Sequence, residues 1–159
     1  YGVATAATAL GGQSIGARRK DMAKRFAYST TILGAGLVTV MAVLMFAFAP
    51  TLTGFLTTDG EVIDLSIQAL RIVAFSEPLF AVSIVVIGAL RGAGDSRGPF
   101  LLNLLSMWGV RVLSVLLFAH KWGILGVWGA MSAELVFRGI IFLVRLLRGR
   151  WTEKNTMVA

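Results

Sequence analysis

The sequence predicts an all-α integral membrane protein with five membrane-spanning helices, and three observations carry that prediction. The first is composition: 57% of the 159 residues are apolar, only 14% are charged, and mean hydropathy is +0.80. Soluble domains run at about 45–50% apolar and about 25% charged, and one small domain cannot hide such an excess. The second is spacing, because apolar stretches of the length a bilayer core demands, about 20 residues, recur along the chain. The third is charge patterning. The Lys and Arg residues behind the net charge of +7 cluster in alternate connections, as basic juxtamembrane loops do. That charge does not point to nucleic acid, since no soluble basic domain carries so much apolar sequence.

The spans follow in order. The first, 1–17, is uncharged and ends among Gly11, Gly12 and Gly16. It opens at Tyr1 with neither Met nor a basic leader, so the chain reads as a piece of something longer. The second, 28–52, lies within an uncharged run from 26 to 58. A capping-box pattern, Thr58-x-x-Glu61, would start the third, 64–90, which Arg71 and Glu77 interrupt. The fourth, 99–119, holds only Arg111 and begins with Pro99, a residue suited to a first helical turn. A tight turn at His120-Lys121-Trp122-Gly123 leads into the fifth, 122–145, which contains Glu134 and Arg138. Short connections make neighbouring helices antiparallel. Residues 1–151 thus form one membrane domain, and 152–159 form a tail.

Orientation comes from counting Lys and Arg. The first connection holds Arg18, Arg19, Lys20, Lys24 and Arg25, and the second holds none, only Asp59 and Glu61. The third has Arg91 and Arg97, the fourth Lys121, and the C-terminal end Arg145, Arg148, Arg150 and Lys154. Residues 18–25, 91–97 and the C-terminus are therefore expected in the cytoplasm of a multi-pass cell-membrane protein. An odd number of crossings then leaves the N-terminus outside. An even count beginning inside is the commoner design, which fits a further helix before Tyr1.

The sequence contains no cysteine and one histidine, His120. Thiolate chemistry is excluded, and a His-based metal site or triad nearly so; no metal or cofactor is expected. No nucleophile–base pair stands out, so an intramembrane enzyme is the weakest reading. The one glycine-rich stretch, "GALRGAGDSRGP" (88–99), fails the dinucleotide fingerprint, because Arg97 stands where the third glycine of G-x-G-x-x-G belongs. It reads instead as a cytoplasmic turn between two membrane helices.

Five segments, taken in order, carry the pattern of one family of membrane proteins. "GGQSIGARRKDMAKR" (11–25) is similar to the G-Q-x-x-G-A segment ending the second helix of each half of that family. "LRIVAFSEPLFAVSIVVIGALRGAGDSRGP" (70–99) resembles its strongest stretch, closing in an L-R-G-x-G-D-[ST]-R-x-P turn. "MWGVR" (107–111), "GILGVWGAMSAE" (123–134) and "RGRW" (148–151) look like its last two helices and tail. Together these segments resemble the multidrug and toxic compound extrusion (MATE) transporters, and the resemblance implies a fold of twelve helices in two six-helix lobes around a central cavity. This chain would be most of the C-terminal lobe, roughly helices eight to twelve, with the N-terminal lobe absent. It further implies export of cationic or amphipathic drugs by H⁺- or Na⁺-coupled antiport with alternating access, in contact with membrane lipid and not nucleic acid. The resemblance further implies that in some sodium-coupled members the cation-binding aspartate of the third span lies about a turn beyond Glu77, where this chain has Phe80 or its neighbours. A sodium site on this helix is therefore not carried over.

Intramembrane charges cost a few kcal/mol each on insertion scales and are functional candidates by default. Glu77 precedes Pro78, which removes a backbone hydrogen bond and frees the Ala74 carbonyl. Ala74, Ala81 and Gly88 form a small-residue seam on the same helix. A carboxylate there suits proton or cation handling, and a structural acid hydrogen-bonded to a neighbour is an equal alternative. Arg111 and Glu134 lie nine and fourteen residues either side of His120, at depths differing by several Å, and Arg138 is one turn beyond Glu134. These three are expected to form a structural ionic network. Gln13, with Gly12 and Gly16, either packs on a partner helix through G-x-x-x-G spacing or lines a cavity. In the cytoplasmic turn, Arg91, Gly92, Gly94, Asp95 and Arg97 are expected to tie neighbouring helix ends together, with the 18–25 loop as a candidate partner. Arg71 is expected to snorkel to the outer interface. Met and Phe residues of 41–48 face lipid, core or a substrate cavity. Two other functions compete with drug efflux: lipid-linked saccharide flipping, and a non-transporting truncated scaffold.

Overall fold

The computed structural model describes residues 1–153, so the expected tail lies, beyond Glu153, outside the described residues. The described chain is helical throughout: α1 (Gly2–Gly16), α2 (Lys20–Ala47), α3 (Ala49–Leu56), α4 (Gly60–Gly92), α5 (Arg97–Leu105), a π-helical segment Ser106–Arg111, α6 (Val112–Arg148) and a 3₁₀ turn Arg150–Thr152. Three helical stretches are long and apolar enough to cross a membrane: Lys20–Ala47, Gly60–Gly92 and the continuous run Arg97–Arg148.

That last run is two passes. Gly123 breaks the helical geometry with φ 59° and ψ −135°, a region open essentially to glycine alone. The chain folds back there, because contacts join residues on its two sides. Asp95 meets Arg145, Ser106 and Arg111 meet Glu134, and Gly126 abuts the Phe118 carbonyl. Phe118 and Trp122 stack at 5.3 Å on the same corner.

Several boundaries differ from the sequence-based expectation. Lys20–Arg25, expected in a loop, already belongs to α2, and the connection is only Ala17–Arg19. It is a Schellman turn: Arg18 N–H bonds the Ile15 carbonyl and Arg19 N–H that of Ser14, with Arg18 left-handed at φ 56°. The expected span 28–52 is not one helix either. It breaks at Phe48, because Pro50 has no N–H to continue the ladder and sits at the start of α3. The third span begins earlier, at Gly60, and its cap is Asp59 rather than Thr58: the Asp59 carboxylate accepts from Glu61 N–H at 3.1 Å.

Helix α4 is the axis of the bundle, packing on α1, α2 and the second half of α6. Its stretch from Val82 to Leu90 supplies Val85, Val86, Ala89 and Leu90 to a core shared with Ala7, Ala23, Ala27, Phe142 and Leu146. Small residues let the backbones approach, the usual device where lipid removes the hydrophobic drive for helix association. A side chain at Gly88 would collide with the Ala4 carbonyl, one at Gly92 with the Thr8 carbonyl, and one at Gly139 with the Leu79 carbonyl. Thr8 Oγ1 bridges the first of these crossings, donating to Gly88 O at 3.0 Å and alternatively to Ala4 O at 2.9 Å. The outer faces carry exposed Ile32, Leu33, Val40, Leu113, Leu116 and Leu117, the surface expected against lipid.

Candidate functional site

Glu77 stands midway along α4, half-buried, one residue before Pro78. It lies at the wall of a cleft of about 490 Å³ between α4 and the end of α2, lined by Met41, Leu44, Met45, Phe48 and Leu52. It is the only acidic side chain on that lining. No hydrogen bond or ion pair to its carboxyl exists among the described residues. A single carboxylate in a cleft of two thioethers, aliphatic side chains and one phenyl ring is chemically suited to a cation with apolar substituents, because charge is matched while soft side chains adapt to shape.

Phe80 faces elsewhere. With Thr8, Arg91, Asn103 and Arg138 it lines a second cavity of about 560 Å³ between α1, α4 and α5. Asn103 Oδ1 is buried without a hydrogen-bond partner among the described residues. Of the two arginines on that lining, Arg138 is paired with Glu134.

The charged residues of the last two passes come together. Glu134 is fully buried, and its carboxylate accepts from three side chains. Arg138 donates through Nε and a terminal nitrogen at 2.6–2.9 Å, Arg111 at 2.8 Å and Ser106 Oγ at 2.5 Å. The side chains of Arg111 and Arg138 are 23% and 14% exposed. Ser106 escaped sequence reading for a geometric reason: residues five apart on an α-helix point about 140° apart. The π-helical segment Ser106–Arg111 widens the turn so that both of its ends reach one carboxylate, consistent with the frequent placement of π-bulges at special sites.

The glycine-rich turn is likewise built. Gly94, at φ 85°, sits at the left-handed position of a Schellman turn, with Asp95 N–H on the Leu90 carbonyl and Gly94 N–H on that of Arg91. Asp95 is buried and pairs with Arg145 at 2.5 Å, while its other oxygen accepts from Gly98 N–H at 3.3 Å. The expected tie between helix ends therefore runs to α6 and not to the 18–25 region. Arg91 and Arg97 are exposed. Gln13 is exposed too, and a methyl group at Gly16 would meet nothing within 4 Å; Gly11 and Gly12 make the close approach, to Ala89 and Gly92. Arg71 places its guanidinium over the Phe46 ring at 5.1 Å, a cation–π contact.

Comparison with known proteins places this geometry. The chain is 27% identical to a probable multidrug resistance protein NorM of Thermotoga maritima over 99% of its length and 34% of the relative's. It is 28% identical to mouse multidrug and toxin extrusion protein 2, over 96% of the chain and 27% of that protein. The chain thus spans about a third of the length of the curated relatives it matches. A solved structure titled as the inward-facing conformation of a multidrug resistance MATE family transporter superposes with a TM-score of 0.85. That match covers 96% of this chain and 36% of the other at 19% identity, which speaks for the fold. The MatE family model matches residues 1–117, including both glycine-lined turns and the helix carrying Glu77, and the chain belongs to that family.

Proposed function

We propose that this chain forms most of the C-terminal lobe of a MATE-type exporter of cationic or amphipathic organic compounds. Efflux would run as H⁺- or Na⁺-coupled antiport, with one lobe rocking against the other around a site between them. The observation that carries this reading is the Glu77 carboxyl, without a partner among the described residues, at the wall of an apolar, methionine-lined cleft at mid-helix. A carboxyl so placed can bind a coupling cation or an organic cation, and exchange between the two is what antiport requires. Cytoplasmic placement of the C-terminus in the cell membrane, drawn from the Lys and Arg distribution, belongs to the same proposal. The multidrug names of the relatives described above favour drug efflux over saccharide flipping or a silent scaffold.

The test is drug efflux from vesicles under an imposed ion gradient, in a two-lobe transporter carrying this lobe. Glu77→Gln keeps shape and hydrogen-bonding capacity while removing the charge. The expected outcome is normal expression, a markedly lower efflux rate and a flattened dependence on the imposed gradient. Wild-type efflux by Glu77→Gln would reduce Glu77 to a structural acid.

A further inference from the structure

At the C-terminal end of α6 the chain builds a second charged groove, unrelated to the Glu77 cleft. Helix α6 stops at Arg148, and Gly149, left-handed at φ 66°, turns the backbone back on itself. Trp151 is thereby buried to 3% exposure, with its indole N–H directed at the Leu146 carbonyl at 3.4 Å. The reversal leaves a groove of about 440 Å³ with an apolar floor of Leu102, Ile140, Ile141 and Val144 and a rim of Arg145, Arg148 and Arg150. Only Arg145 is neutralised, by Asp95. Arg148 and Arg150 have no acidic partner among the described residues.

We infer that this groove is a binding site for an acidic phospholipid, its phosphate held between Arg148 and Arg150 and one acyl chain laid on the Leu102–Ile140–Ile141–Val144 floor. The floor is continuous with exposed Ile140, Val144 and Leu147 on the lipid-facing side of α6. The two free guanidinium groups stand at the helix end, where headgroups lie. Apolar below and doubly cationic above, the groove complements a lipid better than a soluble anion, which would leave the floor uncovered. Basic pockets at helix ends recognise anionic headgroups by this charge matching, and an interfacial tryptophan beside them suits the same depth.

Trp151 supplies the readout. With Trp108, Trp122 and Trp128 replaced by Phe, all of them exposed, the remaining indole reports quenching by acyl chains in the groove. The chain is reconstituted in phosphatidylcholine vesicles containing increasing fractions of brominated phosphatidylglycerol. Quenching should saturate at fractions far below those needed with brominated phosphatidylcholine. Arg148→Gln/Arg150→Gln should weaken the preference about twenty-fivefold, each charge being worth roughly fivefold. Lys121→Gln, at an exposed cation beside the Gly123 reversal, should leave it unchanged. Quenching proportional to mole fraction for both lipids would overturn the site, and so would a preference that survives the Arg148/Arg150 variant. Displacement by millimolar inorganic phosphate would likewise overturn the lipid as occupant.

Discussion

Replacing Glu134 by Gln should unlock the hairpin formed by the last two passes. The carboxylate is fully buried and accepts from Ser106, Arg111 and both donor edges of Arg138. Glutamine fits the space, yet one of its two polar atoms is a donor, and it would face the guanidinium donors already aimed at that point. Two largely buried arginines then lose their counter-charge. Breaking a buried pair in this way costs about 3–5 kcal/mol, and the amide oxygen that remains argues for about 3. At roughly 2–4 °C per kcal/mol for a chain of this size, Tm should fall by roughly 6–12 °C. Arg111→Gln removes one charged hydrogen bond and should cost about 1.5–3 kcal/mol. The double variant should lose about 1–2 kcal/mol less than the two single losses combined, since the groups share one partner. Thermal unfolding in detergent, followed by helical circular dichroism, measures all four corners of the cycle. A Glu134→Gln protein melting within about 2 °C of wild type, or strict additivity in the cycle, would refute the reasoning.

Two further outcomes follow from backbone geometry. Gly92→Val must displace α1, because the added side chain meets the Thr8 carbonyl; a loss of roughly 1–3 kcal/mol is expected, while Gly16→Val, which meets nothing within 4 Å, should be far milder in the same melts. Arg18→Gly should stabilise the chain by about 1 kcal/mol, because Arg18 holds a left-handed conformation at φ 56° that glycine adopts without strain; a lower Tm for Arg18→Gly would contradict that account.

The fold was legible in the sequence to the extent that run length and charge decide it. Uncharged stretches between basic clusters give the succession of helices, and the chain reversal falls on Gly123, the residue of the His120–Gly123 turn that tolerates its backbone angles. Boundaries were less legible. Charge does not prevent helix formation, so Lys20–Arg25 joins α2 despite reading as a loop, and Pro50 splits a run that hydropathy alone treats as continuous. Within the charged cluster, Arg111, Glu134 and Arg138 can be brought together by counting from the turn. Ser106 cannot, since its reach depends on a π-helical turn that no apolar periodicity encodes. The Asp95–Arg145 pair was within reach of the same counting. The two residues lie on opposite legs of the hairpin that reverses at Gly123, but on charge alone the basic segment after α1 competes as a partner for Asp95. Gly11 and Gly12, two and one residues before Gln13, face α4, and Gln13 points outward on the described fold.

The claim on which everything else rests is that the chain crosses the membrane at each long helix and reverses at Gly123. Site-directed cysteine labelling tests it directly, because the sequence has no cysteine of its own. Asp21→Cys, Thr58→Cys, Ser96→Cys and Lys121→Cys each replace an exposed residue in one connection or helix end. With an impermeant maleimide applied to intact cells, Thr58→Cys and Lys121→Cys should react from outside. Asp21→Cys and Ser96→Cys should react only after the membrane is opened. Labelling of Ser96→Cys and Lys121→Cys from the same side would contradict the account.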